Sequence, residues 1–246
     1  MHTAEVPDAI FEDPRLAEVY DMVDADRSDL DAYLDLVDEL GSASVLDVGC
    51  GTGTFACRLA ALGTQVTGVD PAAASLEVAR GKPFADRVRW VEADAANLPA
   101  VHVDLVTMTG NVAQVFLTDG QWLSALRGIR AVLAPGGYLV FETRRPERRA
   151  WEGWTEAETR REIHHPSVGT IVTWVETSVT MPPFISFRNT FEFERDGVVL
   201  TSTSVLCFRE EAEIVRQLRQ AGLRAVDVRD APDRPGLEHV FVAEAI

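Results

Sequence analysis

Three glycines at alternate positions form the stretch of this chain best suited to hold a ligand: Gly49, Gly51 and Gly53. Glycine adopts positive φ at low cost and lets a ligand approach the backbone closely. Residues 44–49 contain an apolar run with β-branched side chains, which predicts a buried strand. Apolar residues between 55 and 62 recur at helical spacing, so a helix follows. A strand, a glycine turn and a helix begin a nucleotide-binding βαβ unit, whose free helix N–H groups face the ligand.

Two carboxylates are expected near this turn. Asp70 ends the second predicted strand, where a carboxylate can accept hydrogen bonds from both hydroxyls of a ribose. Its alternative role is that of an acid beside a helix N-terminus, and Pro71 suits the first turn of that helix. Asp47 lies inside the apolar first strand, where an unpaired charge is costly. We therefore expect Asp47 to order the glycine loop rather than to transfer protons.

The elements that position these residues alternate between strands and helices. Residues 1–19 are polar with scattered prolines and predict a partly ordered arm. Ser28 is the expected N-cap of a helix that ends at Gly41. Alternating strands and helices predict a parallel sheet covered on both faces. The predicted strands of this part are 44–49, 65–70, 88–93, 105–108 and 138–142.

The pattern changes after Thr143. From residue 170 to 208 apolar and polar residues alternate with period two, which predicts antiparallel strands. Asp196-Gly197 between two apolar runs is a strong hairpin signal. Residues 144–208 are therefore predicted to form an antiparallel insertion. The remaining predicted elements are a helix around 214–218, ended by Gly222, and strands at about 224–229 and 239–243.

Five segments in chain order resemble the motifs of the class I S-adenosylmethionine-dependent methyltransferases. They are Leu46-Asp47-Val48 with the Gly-x-Gly-x-Gly that follows, Gly68-Val69-Asp70-Pro71, Glu92-Ala93-Asp94-Ala95, Asp104-Leu105-Val106 leading to Thr109-Gly110-Asn111, and Leu133-Ala134-Pro135-Gly136-Gly137. The resemblance is strong over residues 20–145. It implies an α/β fold with a seven-stranded Rossmann-like sheet of order 3-2-1-4-5-7-6, helices on both faces, an antiparallel last strand and an antiparallel β insertion after strand five.

The resemblance also implies a single methyltransferase domain over residues 1–246. Its expected parts are an N-terminal helical arm (1–41), a cofactor-binding core (42–143), the insertion or lid (144–208) and the last helix and strands (209–246). The implied cofactor is S-adenosyl-L-methionine. The implied reaction is in-line transfer of its methyl group to an O or N atom of a small molecule.

Roles for individual residues follow from the same resemblance. Asp70 would bind the ribose, Asp94 the adenine amino group, and the backbone N–H of Ala95 an adenine ring nitrogen. Asp47 would orient the amino-acid end of the cofactor. Residues 109–111 would pass near the methyl group, although the Asn111 side chain can equally belong to a plain turn. The expected cofactor residues are Tyr20, Asp47, Gly49, Cys50, Gly51, Thr52, Gly53, Asp70, Pro71, Asp94, Ala95, Thr109, Gly110 and Asn111.

Catalytic residues do not stand out, and Arg144, His164 and His165 are only weak candidates. Arg144 opens an arginine cluster at 144–149, which can draw in an anionic substrate or form a solvated loop. Adjacent histidines in an extended segment point opposite ways, so a shared metal site is not expected. One of them can serve as a general base, but a surface position is the simpler interpretation.

Aromatic residues leave two further questions open. Tyr20 resembles an N-terminal tyrosine that closes over the cofactor in related enzymes, and it can equally pack its own helix. Trp151 and Trp154 either line a substrate pocket or bury the insertion, and we favour burial. We expect the insertion to cover the active site and to decide the substrate. The alternative is that its strands form a homodimer interface.

Composition narrows the choice of partners. The formal net charge is −16, which argues against nucleic acid and against an anionic membrane surface as partners. No apolar run is long enough to span a bilayer. The three cysteines are an odd number without metal-type spacing, so no metal and a reduced, cytoplasmic setting are expected.

Two other functions compete with methyl transfer. A nicotinamide-dependent oxidoreductase would show Gly-x-Gly-x-x-Gly, but here the third glycine, Gly53, comes one residue early and Thr54 takes its place. A non-catalytic protein that binds the cofactor or a partner also fits, because no catalytic base is certain.

Overall fold

The computed structural model describes residues 7–23 and 26–246. Within them the α-helices are α1 (Ala9–Glu12), α2 (Pro14–Val23), α3 (Asp31–Glu39), α4 (Thr54–Ala61), α5 (Ala73–Arg80), α6 (Asp119–Val132), α7 (Glu156–Thr159) and α8 (Glu211–Gln220). The strands are β1 (Ser44–Val48), β2 (Gln65–Asp70), β3 (Val88–Glu92), β4 (Val103–Met108), β5 (Leu133–Arg144), β6 (Arg161–His165), β7 (Gly169–Met181), β8 (Phe184–Phe193), β9 (Val198–Cys207), β10 (Leu223–Asp230) and β11 (Glu238–Ala245).

Seven strands form one sheet in the order β10-β11-β5-β4-β1-β2-β3. Strands β1 to β5 are parallel, and β11 is antiparallel to both of its neighbours. When the insertion strands are left out of the count, this order is 3-2-1-4-5-7-6 with an antiparallel last strand. The predicted fold class is therefore confirmed. The five parallel strands end at one edge of the sheet, where ligands bind in open α/β folds.

Alternate residues of these strands point to opposite faces, and each face is covered by helices. Leu46 and Val48 of β1 lie in a buried cluster with residues of α6 and α8. Val45, which precedes them and points to the opposite face, lies in a second buried cluster with residues of α3 and α4. The apolar runs of the sequence thus correspond to strands buried on both sides, as a parallel sheet requires.

The insertion forms a second sheet of four antiparallel strands in the order β6-β7-β8-β9. The predicted hairpin at Asp196-Gly197 joins β8 to β9, and Gly197 has φ +71°. Trp151 is 5% exposed and packs in an apolar cluster with Ile185 and Phe208. The structure therefore favours burial of Trp151, as we expected.

The N-terminal helices replace the partly ordered arm that we expected. Ile10 of α1 and Leu16 of α2 are buried in one cluster with Phe191 and Phe193 of β8. The two helices lie between this face of the insertion sheet and helix α5, which both of them contact. The sequence did not indicate that this segment is well ordered, because its apolar partners belong to the insertion and Pro14 divides it into two short helices. Residues 1–6 of the predicted arm lie outside the described residues.

Two helix starts differ from the predictions. Ser28 does not cap α3: Ser28–Leu30 form a 3₁₀ turn, and α3 begins at Asp31. The backbone N–H of Ser28 instead donates to Asp26 Oδ1. Pro71 precedes Ala72, the N-cap of α5, and so lies outside the first turn of that helix. Among the described helices, none combines the length and the apolar character needed to cross a membrane.

Candidate active site

The glycine loop follows β1 at the carboxyl edge of the sheet, and its three glycines have different surroundings. All three have positive φ: +71° at Gly49, +52° at Gly51 and +77° at Gly53. A Cβ atom on Gly49 would lie 2.6 Å from Val112 Cγ2, and one on Gly53 would lie 2.5 Å from Trp90 Cη2. A Cβ atom on Gly51 would meet nothing within 4 Å. Gly49 and Gly53 are therefore needed for packing, whereas Gly51 faces open space.

Asp70 at the end of β2 is bonded directly to this loop. Its Oδ2 accepts the backbone N–H of Gly51 at 2.8 Å, and its Oδ1 accepts the N–H of Ala72 at 2.8 Å. The residue is 7% exposed, and burial raises the pKa of its carboxyl group. Each oxygen retains a lone pair for a further donor, so the carboxylate can still bind a hydroxyl group.

Asp47 lies beneath the loop with one carboxylate oxygen unused. Oδ1 accepts from Thr107 Oγ1 at 2.8 Å, whereas Oδ2 is buried and has no hydrogen-bond partner among the described residues. Burial raises the pKa of Asp47 to about 7; the bond from Thr107 opposes that shift and the negative charge of Asp70 adds to it. A buried oxygen without a donor is costly, which marks this position as one that a ligand can complete.

The segment after β4 is held by a carboxylate that sequence analysis missed. Glu142 Oε1, near the end of β5, accepts the backbone N–H groups of Gly110 at 2.7 Å and Asn111 at 3.0 Å. Burial raises the pKa of Glu142 to about 7, and the charge of Glu238 adds to this shift. Asn111 has φ +62°, and its Nδ2 donates to Glu238 Oε1 at 3.3 Å while its Oδ1 is buried without a partner in the described chain. The sequence signal that could have identified Glu142 is the position of a glutamate near the end of an apolar strand.

Arg144 joins this cluster, whereas Arg149 does not. Its guanidinium group lies 3.6 Å from Glu238 Oε1, bonds Gln114 Oε1 at 3.3 Å and lies 5.5 Å from the ring centre of Trp154. Burial lowers its pKa. Arg149, by contrast, pairs with Glu152 at 2.8 Å in an exposed loop. Arg149 therefore fits the interpretation as a solvated loop, and a role of Arg144 toward the substrate stays a prediction.

The two histidine candidates lie on β6 of the insertion sheet. His164 is exposed, and its Nδ1 lies 3.5 Å from Thr170 Oγ1. His165 Nδ1 lies 3.1 Å from Ser167 Oγ, which bonds Glu18 of α2. None of these contacts joins either histidine to the strand ends described above.

Other predicted site residues occupy the same edge in less specific surroundings. Asp94 Oδ1 accepts from Ala96 N at 2.9 Å and Asn97 Nδ2 at 2.8 Å, and so closes a local turn. Ala95 is buried beside it. Burial raises the pKa of the Cys50 thiol well above its usual range, which makes the thiol unreactive. The ring centres of Tyr20 and Phe11 lie 5.4 Å apart, which agrees with a packing role for Tyr20.

Helix α2 is fastened to the glycine loop by Asp21, which sequence analysis also missed. Its Oδ1 accepts from Thr52 Oγ1 at 2.6 Å and from Thr54 Oγ1 at 3.4 Å. Its other oxygen forms an ion pair with Lys82, which also donates to Thr54 Oγ1 at 2.7 Å. The bonds to Thr52 and Thr54 place an acidic group beside the N-terminus of α4, where a negative charge is favourable.

Comparison with known proteins agrees with this geometry. Residues 45–137 match the family model described as a methyltransferase domain. An uncharacterized methyltransferase of Mycobacterium tuberculosis (strain ATCC 25618 / H37Rv) is 38% identical over 115 residues, which are 46% of this chain and 56% of that protein. The cypemycin N-terminal methyltransferase of a Streptomyces species is 33% identical over 138 residues, 54% of this chain and 56% of that protein. The chain thus spans about half the length of these curated relatives.

Solved structures extend the likeness of the fold to almost the whole chain. Streptomyces venezuelae DesVI superimposes with a TM-score of 0.76 at 20% identity, over 94% of this chain and 98% of that one. The sugar N-methyltransferase KedS8 from Streptoalloteichus superimposes with a TM-score of 0.76 at 16% identity, over 100% of this chain and 97% of that one. The sheet and the site at its carboxyl edge define the class I methyltransferase fold. Residues 45–137 match the model of the methyltransferase domain family, and the resemblance predicted from the sequence is confirmed.

Proposed function

We propose that this chain is an S-adenosylmethionine-dependent methyltransferase that acts on an O or N atom of a small molecule. The observation that carries the proposal is the bond between Asp70 and the N–H of Gly51. It fixes a ribose-binding carboxylate against an open glycine face within the segment that matches the methyltransferase family.

The residues at this edge fit the proposed cofactor. Asp70 would bind the ribose, and the open face of Gly51 leaves room for the chain that leads to the sulfur atom. Asp47 Oδ2 and Asn111 Oδ1 are buried acceptors without a donor among the described residues, so ligand N–H groups can satisfy them. When bound, the cofactor supplies a methyl group on a positively charged sulfur. Burial raises the pKa values of Asp47, Asp70 and Glu142, and a cation bound at this edge would favour their ionised forms.

The protein's main task would be to align the two reactants. Holding them in line can lower the barrier by roughly 7–11 kcal/mol, without a dedicated acid or base. Glu238 bonds both Asn111 and Arg144, and so ties the end of β4 to the end of β5. We therefore propose Asn111 and Arg144 as residues that border the acceptor. We assign no general base, and His164 and His165 have no contact that places them in this role.

Several observations bear on the substrate. KedS8 is a sugar N-methyltransferase, and the cypemycin enzyme is an N-terminal methyltransferase. We propose a small substrate with a free amine or hydroxyl group, covered by the insertion. The net charge of −16 supports a partner other than nucleic acid. The free cysteines support the proposal of a cytoplasmic setting.

Calorimetry with S-adenosylhomocysteine tests the cofactor. We expect the wild-type protein to bind it and to leave NAD unbound. Asp70→Asn should weaken binding by about 1.5–3 kcal/mol, the scale of a hydrogen bond to a charged group. Asp86→Asn, at an exposed site in the loop before β3, is the matched control. Equal affinities of the wild type and Asp70→Asn would contradict the ribose assignment.

Turnover tests the chemistry. Formation of S-adenosylhomocysteine from S-adenosylmethionine should depend on an added acceptor, drawn from amino sugars, peptide N-termini and phenols. A product methylated on nitrogen or oxygen would identify the acceptor atom. Cofactor binding without turnover on any acceptor would favour the non-catalytic alternative.

A further inference from the structure

Helix α1 brings a glutamate to the cofactor edge from outside the sheet. The carbonyl oxygen of Phe11 accepts a hydrogen bond from Ser75 Oγ at 2.8 Å. Ser75 belongs to the first turn of α5, the helix that starts just after Asp70. Residues at the end of α1 are thereby fixed beside the end of β2, and Glu12 is the last residue of α1.

Glu12 is half-buried there, and one of its carboxylate oxygens is closed to solvent without a donor. Its Oε2 has no hydrogen-bond partner among the described residues. Its negative charge acts on Asp70, whose pKa it helps to raise after the larger effect of burial. An unpaired buried carboxylate oxygen destabilises the protein unless a donor reaches it, and no described side chain supplies one.

Asp70 can offer each ribose hydroxyl only the one lone pair that each of its oxygens retains. Each of its oxygens already accepts a backbone N–H, from Gly51 or from Ala72. A neighbouring unpaired carboxylate would accept a second hydroxyl without any transfer of a proton. Asp47 Oδ2 is a further unpartnered acceptor, on a residue only 1% exposed, under the same loop.

We propose that Glu12 accepts a hydrogen bond from one ribose hydroxyl of the bound cofactor, so that Glu12 and Asp70 hold the diol from two sides. This inference rests on the proposed function. Glu12 Oε2 is closed to solvent while α1 is docked, so the arm must lift before the ribose can reach it. Renewed docking of α1 over the bound ribose and binding of the cofactor would then stabilise each other.

Calorimetry with S-adenosylhomocysteine on Glu12→Gln tests the proposal. The substitution keeps the shape and removes the charge, so affinity should fall about 10- to 100-fold, as for loss of a charged hydrogen bond. The thermal midpoint of the ligand-free protein should stay equal or rise, because an unpaired buried charge has gone. Glu18→Gln, on an exposed position of α2, should bind within about twofold of the wild type.

Ribose analogues distinguish direct contact from packing of the arm. S-adenosylhomocysteine without the 2′- or the 3′-hydroxyl should bind the wild type more weakly. One of the two deoxy forms should lose little further affinity on Glu12→Gln, because the hydroxyl and its acceptor are coupled. Glu12→Asp, which keeps the charge on a shorter side chain, should behave like Glu12→Gln.

Each contrary result has a distinct meaning. Unchanged affinity in Glu12→Gln overturns this inference and leaves the proposed function intact. The losses of affinity from Glu12→Gln and from removal of a hydroxyl group can instead add fully for both deoxy analogues. That result would show that Glu12 only packs the arm, and it also overturns this inference. A wild-type protein that does not bind S-adenosylhomocysteine overturns both the inference and the proposed function.

Discussion

Gly51 faces open space at positive φ, and this combination predicts its sensitivity to substitution. A side chain at φ +52° costs about 1–2 kcal/mol in backbone strain, and its Cβ atom would occupy the face that we assign to the cofactor. We expect Gly51→Val to abolish binding of S-adenosylhomocysteine and to leave a folded domain. Gly136→Val is the matched control: Gly136 has φ +74° with nothing within 4 Å of a Cβ atom, outside the site. Normal binding by Gly51→Val would remove the glycine loop from the cofactor site.

Asp47 predicts a pH dependence of stability. Its pKa of about 7 in the folded protein lies above the value of about 3.9 expected for the unfolded chain. The folded state holds this proton more tightly, so the stabilisation is complete below about pH 4 and is lost as the pH rises through about 7. In Asp47→Asn the decline in the free energy of unfolding between pH 5 and 8 should be smaller by about 1–3 kcal/mol.

Urea denaturation of the ligand-free protein at several pH values measures this effect. Asp104→Asn provides the control, because hydrogen bonds with Ser44 lower the pKa of Asp104 and its titration lies below this window. Glu142, whose pKa is also about 7, still titrates in the variant, so part of the wild-type slope should persist. Identical slopes in the wild type and Asp47→Asn would show that Asp47 does not titrate there.

The sequence located the residues of this site that belong to local motifs. Asp47 lies within β1, Asp70 ends β2 and the glycines follow β1; the apolar runs of these strands are visible in the chain, and the fold brings the strand ends together. Glu12 and Asp21 were missed because their partners depend on how α1 and α2 dock. Glu142 was missed because its role is to accept N–H groups of a loop after another strand.

At the scale of elements, the docked arm is the feature with a direct test. Asp21 fastens α2 to the glycine loop through Thr52 and Lys82. We expect Asp21→Ala to speed amide hydrogen exchange over residues 9–23, because local opening becomes easier when these bonds are lost. Affinity for S-adenosylhomocysteine should fall by about 1 kcal/mol, the net value of such a bond.

Glu18→Ala removes a carboxylate from the exposed side of the same helix and serves as the control for the arm. In Glu18→Ala, amide hydrogen exchange over residues 9–23 should match the wild type. The exception is the turn around residue 18, which loses its hydrogen bond with Ser167. Unchanged exchange in Asp21→Ala would mean that the apolar contacts of Leu16 and Val19 alone hold the arm.

Elements were predictable to the extent that local patterns define them. Strand β2 was found at its observed bounds, and the hairpin at Asp196-Gly197 was found because its turn residues favour positive φ. A helical N-terminal arm was expected, but the separate helices α1 and α2 were not found, since α1 has only four residues and its stability comes from packing on the insertion sheet. The 3₁₀ turn at Ser28–Leu30 was equally invisible, because it differs from an α-helical start only in its backbone bonds.

At the scale of the whole molecule, the open question is whether the insertion selects the substrate or joins two copies. Arg144 contacts Trp154 across the junction between β5 and the insertion. Trp154→Ala and Arg144→Ala should therefore reduce turnover about 10- to 100-fold through misalignment of the acceptor. Their affinities for S-adenosylhomocysteine should change by about 0.5 kcal/mol or less. In Arg144→Ala, Glu238 keeps Arg234 as its partner at 3.0 Å.

His164→Ala, at an exposed position of the same insertion, is the control and should retain turnover. Trp151 is unsuitable for this test, because its burial means that an alanine would cost about 3–5 kcal/mol of stability. Light scattering on each variant measures the oligomeric state. A dimer that dissociates in Arg144→Ala or Trp154→Ala without loss of turnover would favour the interface interpretation and contradict ours.

The hydrogen bond from Ile10 N to Ser202 Oγ joins residues 192 positions apart, and it implies an order of assembly. A growing chain presents α1 and α2 first, yet the sheet on which they dock is complete only after β9 has been synthesised. Contacts of such long range form slowly, because the entropy of closing the loop must be offset first. Helices α1 and α2 are therefore made before the sheet on which they dock and reach their place only after it has formed. Ile10, Leu16 and Val19 remain exposed on the nascent chain until then, and acquisition of cofactor affinity would mark the end of folding rather than formation of the central sheet.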